Sequence, residues 1–264
     1  MVNVGDITIT SLETITVFDI VTGNYRFTLD ELQDCSIAQA QDTTEITGKG
    51  GRKLNTLKRN KTITITGTNG LISGGLLEMQ TGGKFENAPT EVMWTDHIVI
   101  KGSASATMFK AVGTEGKEII SIRLKNADNT LGEELVQDAT AAEGKFTYDP
   151  DTKVLGFSGL EDGVEAVVYY KRKIAADVLR NDSDVYSEKG IIYIDAIGED
   201  KCSKLYRVQI QIPKGDFSGE FSIDMGGDQS VHGFEIESLA GACGTSGQLF
   251  SYVVFGVDSE DANA

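Results

Sequence analysis

The clearest concentration of residues suited to phosphate chemistry in this chain is Gly48-Lys49-Gly50-Gly51-Arg52-Lys53. Glycines let a backbone wrap around oxygens and the cations neutralise them, which is the composition of a nucleotide cradle. A cradle also needs a strand before it and a helix directly after it, because the helix N-terminus supplies the remaining N–H donors. Here Thr62-Ile63-Thr64-Ile65-Thr66 follows, and its period of two predicts a strand. The stretch therefore has the charge for phosphate chemistry without the geometry.

Other catalytic constellations are no better supported. His97 and His232 are the only histidines. Asp96 adjoins His97, but neighbours on a strand point to opposite faces and would not share a metal. There is no GxSxG element and no GxxxxGK[ST] loop. Asn181-Asp182-Ser183-Asp184 looks like part of a calcium loop. Counted from Asp182, however, Ser187 stands where the loop needs Gly and Tyr193 where it needs Glu, so a turn is expected. Trp94 and the tyrosines are not clustered as a stacking platform. With 40 carboxylates any glycosidase pair could be nominated, which empties the nomination of content. Cys35, Cys202 and Cys243 are odd in number and widely spaced, and are read as reduced thiols. A non-enzyme without cofactor or metal is expected.

Charge is the distinctive feature. From Ile46 to Leu77 the chain carries Lys49, Arg52, Lys53, Lys58, Arg59 and Lys61 and no acidic residue, whereas its net charge is −16, or −22 without those six. So acidic a body opposes binding to nucleic acid, whose affinity comes from cations neutralising phosphates. With no apolar run of about 18 residues, no membrane span is predicted. The polar start MVNVGDITIT lacks the regions of a signal peptide, so folding in a cytoplasm is expected.

The elements that would carry these residues are mostly strands, given recurrent β-branched alternation and only three prolines. Ile15 to Ile20 and Tyr25 to Leu29 flank Val21-Thr22-Gly23-Asn24 as a hairpin. Ser36 to Asp42 continues as a strand, and Thr43 to Asn60 reads as a long, mobile basic loop because its Gly-rich half has no apolar face. After the strand Lys61 to Gly67, Asn69 is expected to cap a helix whose packing face is Ile72, Leu76 and Met79, ended by Gly82 and Gly83. Gly74 and Gly75 inside that helix suggest close approach of another backbone. Short strands follow at Val92 to Met93, His97 to Lys101, Thr107 to Val112 and Ile119 to Leu124. Asn126 to Glu143 reads as a polar connection. Lys145 to Tyr148 and Lys153 to Phe157 surround a turn at Asp149-Pro150-Asp151-Thr152, and Val164 to Lys173 is a longer strand. The last third is β at Ile191 to Ile197, Leu205 to Ile212, Gly219 to Met225, Gly233 to Leu239 and Leu249 to Val257, with a loose tail, Asp258 to Ala264. The expected division is a discontinuous β domain, 1–112 and 176–264, with a small β insertion, 113–175.

In that order the hairpin Ile15 to Leu29, the strand Ser36 to Asp42, the basic loop, the strand Lys61 to Gly67 and the Gly-containing helix Leu71 to Gln80 resemble the core of the major tail proteins, the tail tube subunits of long-tailed bacteriophages. "GKFTYDPDTKVLGFSGLEDGVEAVVYYKRK" is similar to a small β segment of such proteins, and "LYRVQIQIPKGDFSGEFSIDM" and "FEIESLAG" to their closing strands. The resemblance implies a mainly β, tail-tube-like barrel or sandwich with one short helix. It also implies a virion protein of the tail, made in the host bacterial cytoplasm, whose copies form rings, usually of six, stacked into a channel for DNA. Its partners would be further copies, other tail proteins and DNA that passes without specific binding, and the basic loop would reach the adjoining ring. A lumen lined by carboxylates would repel the passing phosphates. On the residues alone two other readings stay open: a baseplate, fibre or carbohydrate-binding β module, and a DNA-contacting protein that grips phosphate with residues 49 to 61.

Overall fold

The structure is a computed structural model and describes residues 6–226, 231–240 and 247–256. Cys243 and the tail expected from Asp258 to Ala264 lie outside the described residues. In chain order the elements are β1 (Ile7–Asp19), β2 (Tyr25–Leu29), β3 (Leu32–Thr47), β4 (Lys53–Asn69), α1 (Gly74–Thr81), β5 (Glu86–Val99), β6 (Ala104–Ala106), β7 (Ile119–Lys125), β8 (Leu131–Gln137), β9 (Lys145–Asp149), β10 (Val154–Phe157), β11 (Glu165–Val178), β12 (Lys189–Asp200), β13 (Leu205–Phe217), β14 (Ile223–Asp224), β15 (Val231–Ser238) and β16 (Ser251–Gly256). The fold is thus mainly β with one helix among the described residues, in two sheets, one of them a curled half-barrel. The chain forms two compact units, Met1–Phe85 with Leu179–Ala264, and Glu86–Val178.

In the first unit the strand order is β2-β1-β12-β13-β15-β4-β3, with β14 on β15 and β16 on β13. The β1–β2 hairpin closes where expected. Asp19 Oδ1 accepts from the Val21 and Thr22 amides and from the Thr22 hydroxyl, Gly23 adopts φ 71°, and Ile15 pairs with Leu29. Alternation then sorts the sheet. Ile15, Val17, Ile63, Ile65, Ile192, Ile194 and Ile236 point to one face and are buried with Leu76 and Met79 of α1. Thr16, Tyr193, Asp195, Gln209, Thr64, Thr66, Glu235 and Glu237 alternate with them onto the other face.

α1 starts later than the sequence implies. Asn69 is the last residue of β4, opposite His232, and its Nδ2 donates to the Leu71 carbonyl. The cap is Ser73, whose hydroxyl accepts from the Leu76 amide, and Gly82 ends the helix in the left-handed region at φ 73°. Ile72 therefore precedes the helix and is 45% exposed, so the expected packing face shrinks to Leu76 and Met79, joined by buried Gln80. What approaches Gly75 is also a side chain rather than a backbone, because a Cβ there would lie 2.5 Å from Cβ of Phe27.

The larger correction concerns the basic stretch. The loop expected from Thr43 to Asn60 is a two-stranded ribbon, with β3 and β4 paired from Asp34↔Thr68 outward to Thr47↔Lys53 through register shifts at Ala40/Asp42 and Ile46/Thr47. The sequence hides it because beyond the bulge near Asp42 and Arg59 the ribbon has no apolar core beneath it and needs no apolar periodicity.

In the second unit the order is β5-β11-β7-β8-β9-β10-β6, around Ile98, Ile100, Ile122, Phe146, Leu155, Val168 and Tyr170. Residues 92–93 and 97–99, expected as separate strands, are parts of the single strand β5. The polar connection expected from Asn126 to Glu143 contains β8, in which Leu135 alone is buried. Thr107 to Val112, expected as a strand, lacks a continuous strand partner. Among the described residues only its end amides reach backbone carbonyls, Thr107 to Lys153 and Val112 to Lys171, while Met108 N–H goes to Asp96 Oδ2 at 2.7 Å, Phe109 N–H to Tyr170 OH at 3.1 Å and Ala111 N–H to Tyr148 OH at 2.8 Å.

Candidate functional site

The ribbon's outer half gathers the sequence-predicted cations on one projection. Gly48 to Gly51 form its turn, in which the Gly51 amide donates to the Gly48 carbonyl and Gly50 and Gly51 hold φ 78° and 76°. Positive φ at two successive positions is what glycine permits without steric cost. A side chain at Gly48 would meet Leu54 Cδ1 at 2.7 Å, so Leu54 lies directly against the turn. Lys49 and Arg52 lie in the turn segment, and Lys53, Lys58, Arg59 and Lys61 on β4.

All six cations are exposed. Lys53 pairs with Glu45 across the ribbon. Among the described residues no hydrogen bond or ion pair joins the side chains of Lys49, Arg52, Lys58, Arg59 or Lys61 to another group. Register divides them: Lys58 shares a face with Thr43, while Arg59 shares the other with Asp42 and, one step further out, with Leu57 opposite Thr44. Ile46, Leu54 and Leu57 are exposed at 40%, 64% and 36%. The projection thus offers water a row of cations with apolar side chains among them, although a two-stranded ribbon is marginal by itself.

The sheet face opposite the core has the reverse character. Asp34, Asp195, Glu235 and Glu237 lie there among threonines and glutamines, with Arg207 as a cation on the same face. Gln209 Nε2 donates to Asp195 Oδ1 at 2.9 Å, and Gln211 Nε2 to Gln209 Oε1 at 2.7 Å. Beside this surface Cys35 is half-buried, and burial followed by the Asp34 charge pushes its thiol up to about 11, which leaves it protonated and unreactive at neutral pH.

The residues weighed for catalysis separate as strand geometry requires. Asp96 is buried and accepts from Trp94 Nε1 at 2.9 Å and from Tyr170 OH at 2.8 Å, while His97 points outward. Burial, together with the hydrogen bond to Asp96, raises the Tyr170 hydroxyl's pKa. Asp182 to Val185 form a turn closed by the Val185 amide on the Asp182 carbonyl at 3.2 Å. Trp94 packs edge-on against Phe109 at 5.1 Å, and the Arg172 guanidinium lies over both rings, 4.4 and 3.7 Å from their centroids.

One group escaped the sequence reading. His232 is fully buried between β4 and α1, with Nδ1 at Ser73 N and Nε2 at Gln80 Oε1. The signal was present in β15, where His232, Phe234 and Ile236 alternate with Glu235 and Glu237, which places the imidazole on the dry face.

Compared with known proteins, the chain matches the model of the YomU/Tube protein family over residues 7–251. None of the curated proteins matches it.

Proposed function

The chain belongs to the YomU/Tube protein family, and from that membership we propose that it is the repeating subunit of a phage tail tube, a structural component of the virion tail. In this reading its copies close into rings, of six subunits, which stack into a tube around a channel for DNA. The observation that carries the reading beyond the family is the main sheet itself. Its order ends on two edges, β2 and β3, that bond to no further strand among the described residues. Unpaired edges invite another chain, and closing copies edge to edge into a barrel removes them.

The channel wall is then the part of the wet face that carries Asp195 and Glu237, leaving Asp34 and Glu235 to contacts between rings, rather than the face covered by α1. Carboxylates there repel DNA phosphates, so the genome slides without counterion-release binding. The cationic ribbon would hold DNA back if it lined the channel, and it is assigned instead to contact between rings. Its partner is another copy of this chain.

Negative-stain microscopy of the purified protein, concentrated at moderate salt, tests the proposal. Rings or tubes are expected. A chain that stays monomeric even with its tail assembly partners present would overturn it.

A further inference from the structure

We infer that the tip of the basic ribbon seats in an acidic groove at the ribbon's base on a second copy of this chain. The inference rests on the tube reading and names the surface that receives the arm. The groove, of about 550 Å³, runs over β3, β4 and β15 and is walled on one side by residues 220–222. Asp34, Glu220 and Glu235 are exposed along it, and none of its lining residues is Lys or Arg. Its floor includes Gly67 and Gly233, which present no side chain, and the partly exposed Phe221 adds ring surface on which a guanidinium can stack.

Among the described residues no element covers the sheet face here, and its complement lies in the same chain. The turn Gly48 to Arg52 is narrow, since Gly50 and Gly51 have open space around them, and it carries Lys49 and Arg52 with no acidic residue between Ile46 and Leu77. Charge-assisted hydrogen bonds from a guanidinium and an ammonium to carboxylates are the contacts that such a pair of surfaces can form.

Geometry makes the contact intermolecular. Tip and groove are opposite ends of one registered ribbon, and the path along β4 from Arg52 to Thr66 spans about 45 Å at ~3.3 Å per residue. A copy cannot reach its own groove along a straight ladder. A contact between different surfaces of identical subunits is heterologous, and repetition of it propagates a stack instead of closing a pair. The ribbon length then sets an upper bound on the axial repeat of about 45 Å.

A charge exchange tests this. Lys49→Glu with Arg52→Glu reverses the tip, and Glu220→Lys with Glu235→Lys reverses the groove; all four positions are exposed, so circular dichroism and urea midpoints should stay at the wild-type values. Each reversed pair is expected to raise the protein concentration needed for stacking by about tenfold or more, and the four changes together to bring it back. Stacking of the groove variant at wild-type concentrations, failure of the fourfold variant to recover, or an axial repeat above the ribbon length would each overturn the inference. All three leave the tube reading intact, whereas a wild-type chain that forms no rings or tubes removes both.

Discussion

The buried imidazole of His232 takes the backbone N–H of Ser73 onto Nδ1 at 3.3 Å. An amide can only donate, so Nδ1 is the bare nitrogen and Nε2 carries the proton toward Gln80 Oε1, 2.8 Å away, while Gln80 Nε2 donates to the Gly233 carbonyl at 3.0 Å. The neutral ring thus ties the cap of α1 to β15. Burial lowers its pKa from 6.5, and no cation or carboxylate contributes to that shift. A folded value below the unfolded one means that the unfolded chain binds a proton first as pH falls. Stability is therefore constant above about 6.5 on this account and declines below it, toward the folded pKa. Urea midpoints should drop between pH 7.5 and 5.5, a range in which carboxylates titrate little. His232→Gln should be less stable at pH 7.5 yet lose that drop, and an unchanged slope would refute the account.

Gly75→Ala separates helix propensity from packing. Alanine is the better helix former by about 1 kcal/mol. Its Cβ would sit 2.5 Å from the Phe27 Cβ and 2.7 Å from Cγ, a contact relieved only by shifting β2 or α1. Overpacking of this kind costs about 1–3 kcal/mol, so net destabilisation is expected in denaturant titrations. A higher midpoint for the variant would show that Phe27 yields at little cost.

Tyr170→Phe tests the side chains that stand in for a strand partner at residues 107–112. The hydroxyl donates to Asp96 Oδ2 and accepts from the Phe109 amide, so its loss strips a donor from a buried carboxylate and an acceptor from a backbone N–H. Asp96 keeps the Met108 amide on Oδ2 and Trp94 on Oδ1, so the Phe109 N–H is the group left unsatisfied, at a cost of about 1–3 kcal/mol. The loss of stability should exceed that of an ordinary Tyr→Phe change and be accompanied by faster amide exchange at Phe109. Equal exchange in the two proteins would assign the segment's order to packing of Phe109 alone.

Where one face of a strand is buried and the other wet, the sequence is legible. The hairpin from Ile15 to Leu29 and the alternation of Ile63 and Ile65 with threonines announce themselves, and the end of α1 at Gly82 follows from the left-handed cap. Legibility fails where burial is not periodic. The ribbon's outer half pairs only with itself, and β8 buries a single leucine. Thr107 to Val112 has the pattern of a strand but spends its Met108, Phe109 and Ala111 amides on the side chains of Asp96, Tyr170 and Tyr148, which are remote in sequence. The start of α1 is displaced because Asn69 is held in β4 opposite His232, a pairing that a local reading of caps does not contain. Of the candidate site, the cations were legible from composition, whereas their support on a registered ribbon was not.

Replacing Lys49, Arg52, Lys53, Lys58 and Arg59 by Ser tests whether the ribbon acts outside the subunit. Their side chains are exposed, and the one ion pair they make among the described residues, Lys53 with Glu45, is half exposed on both sides and worth little. The isolated subunit should therefore keep its urea midpoint to within about 0.5 kcal/mol of stability. If the ribbon meets carboxylates of another copy, the same change removes attraction that water screens less once the surfaces close, and stacking into tubes should be abolished. Wild-type stacking should also weaken as salt is raised through the range where the Debye length falls from about 10 Å to about 3 Å. Sedimentation and negative-stain images across that series read both effects. Tubes that form alike in the Ser variant and in high salt would place the contacts between rings on the apolar side chains Ile46, Leu54 and Leu57 rather than on the cations.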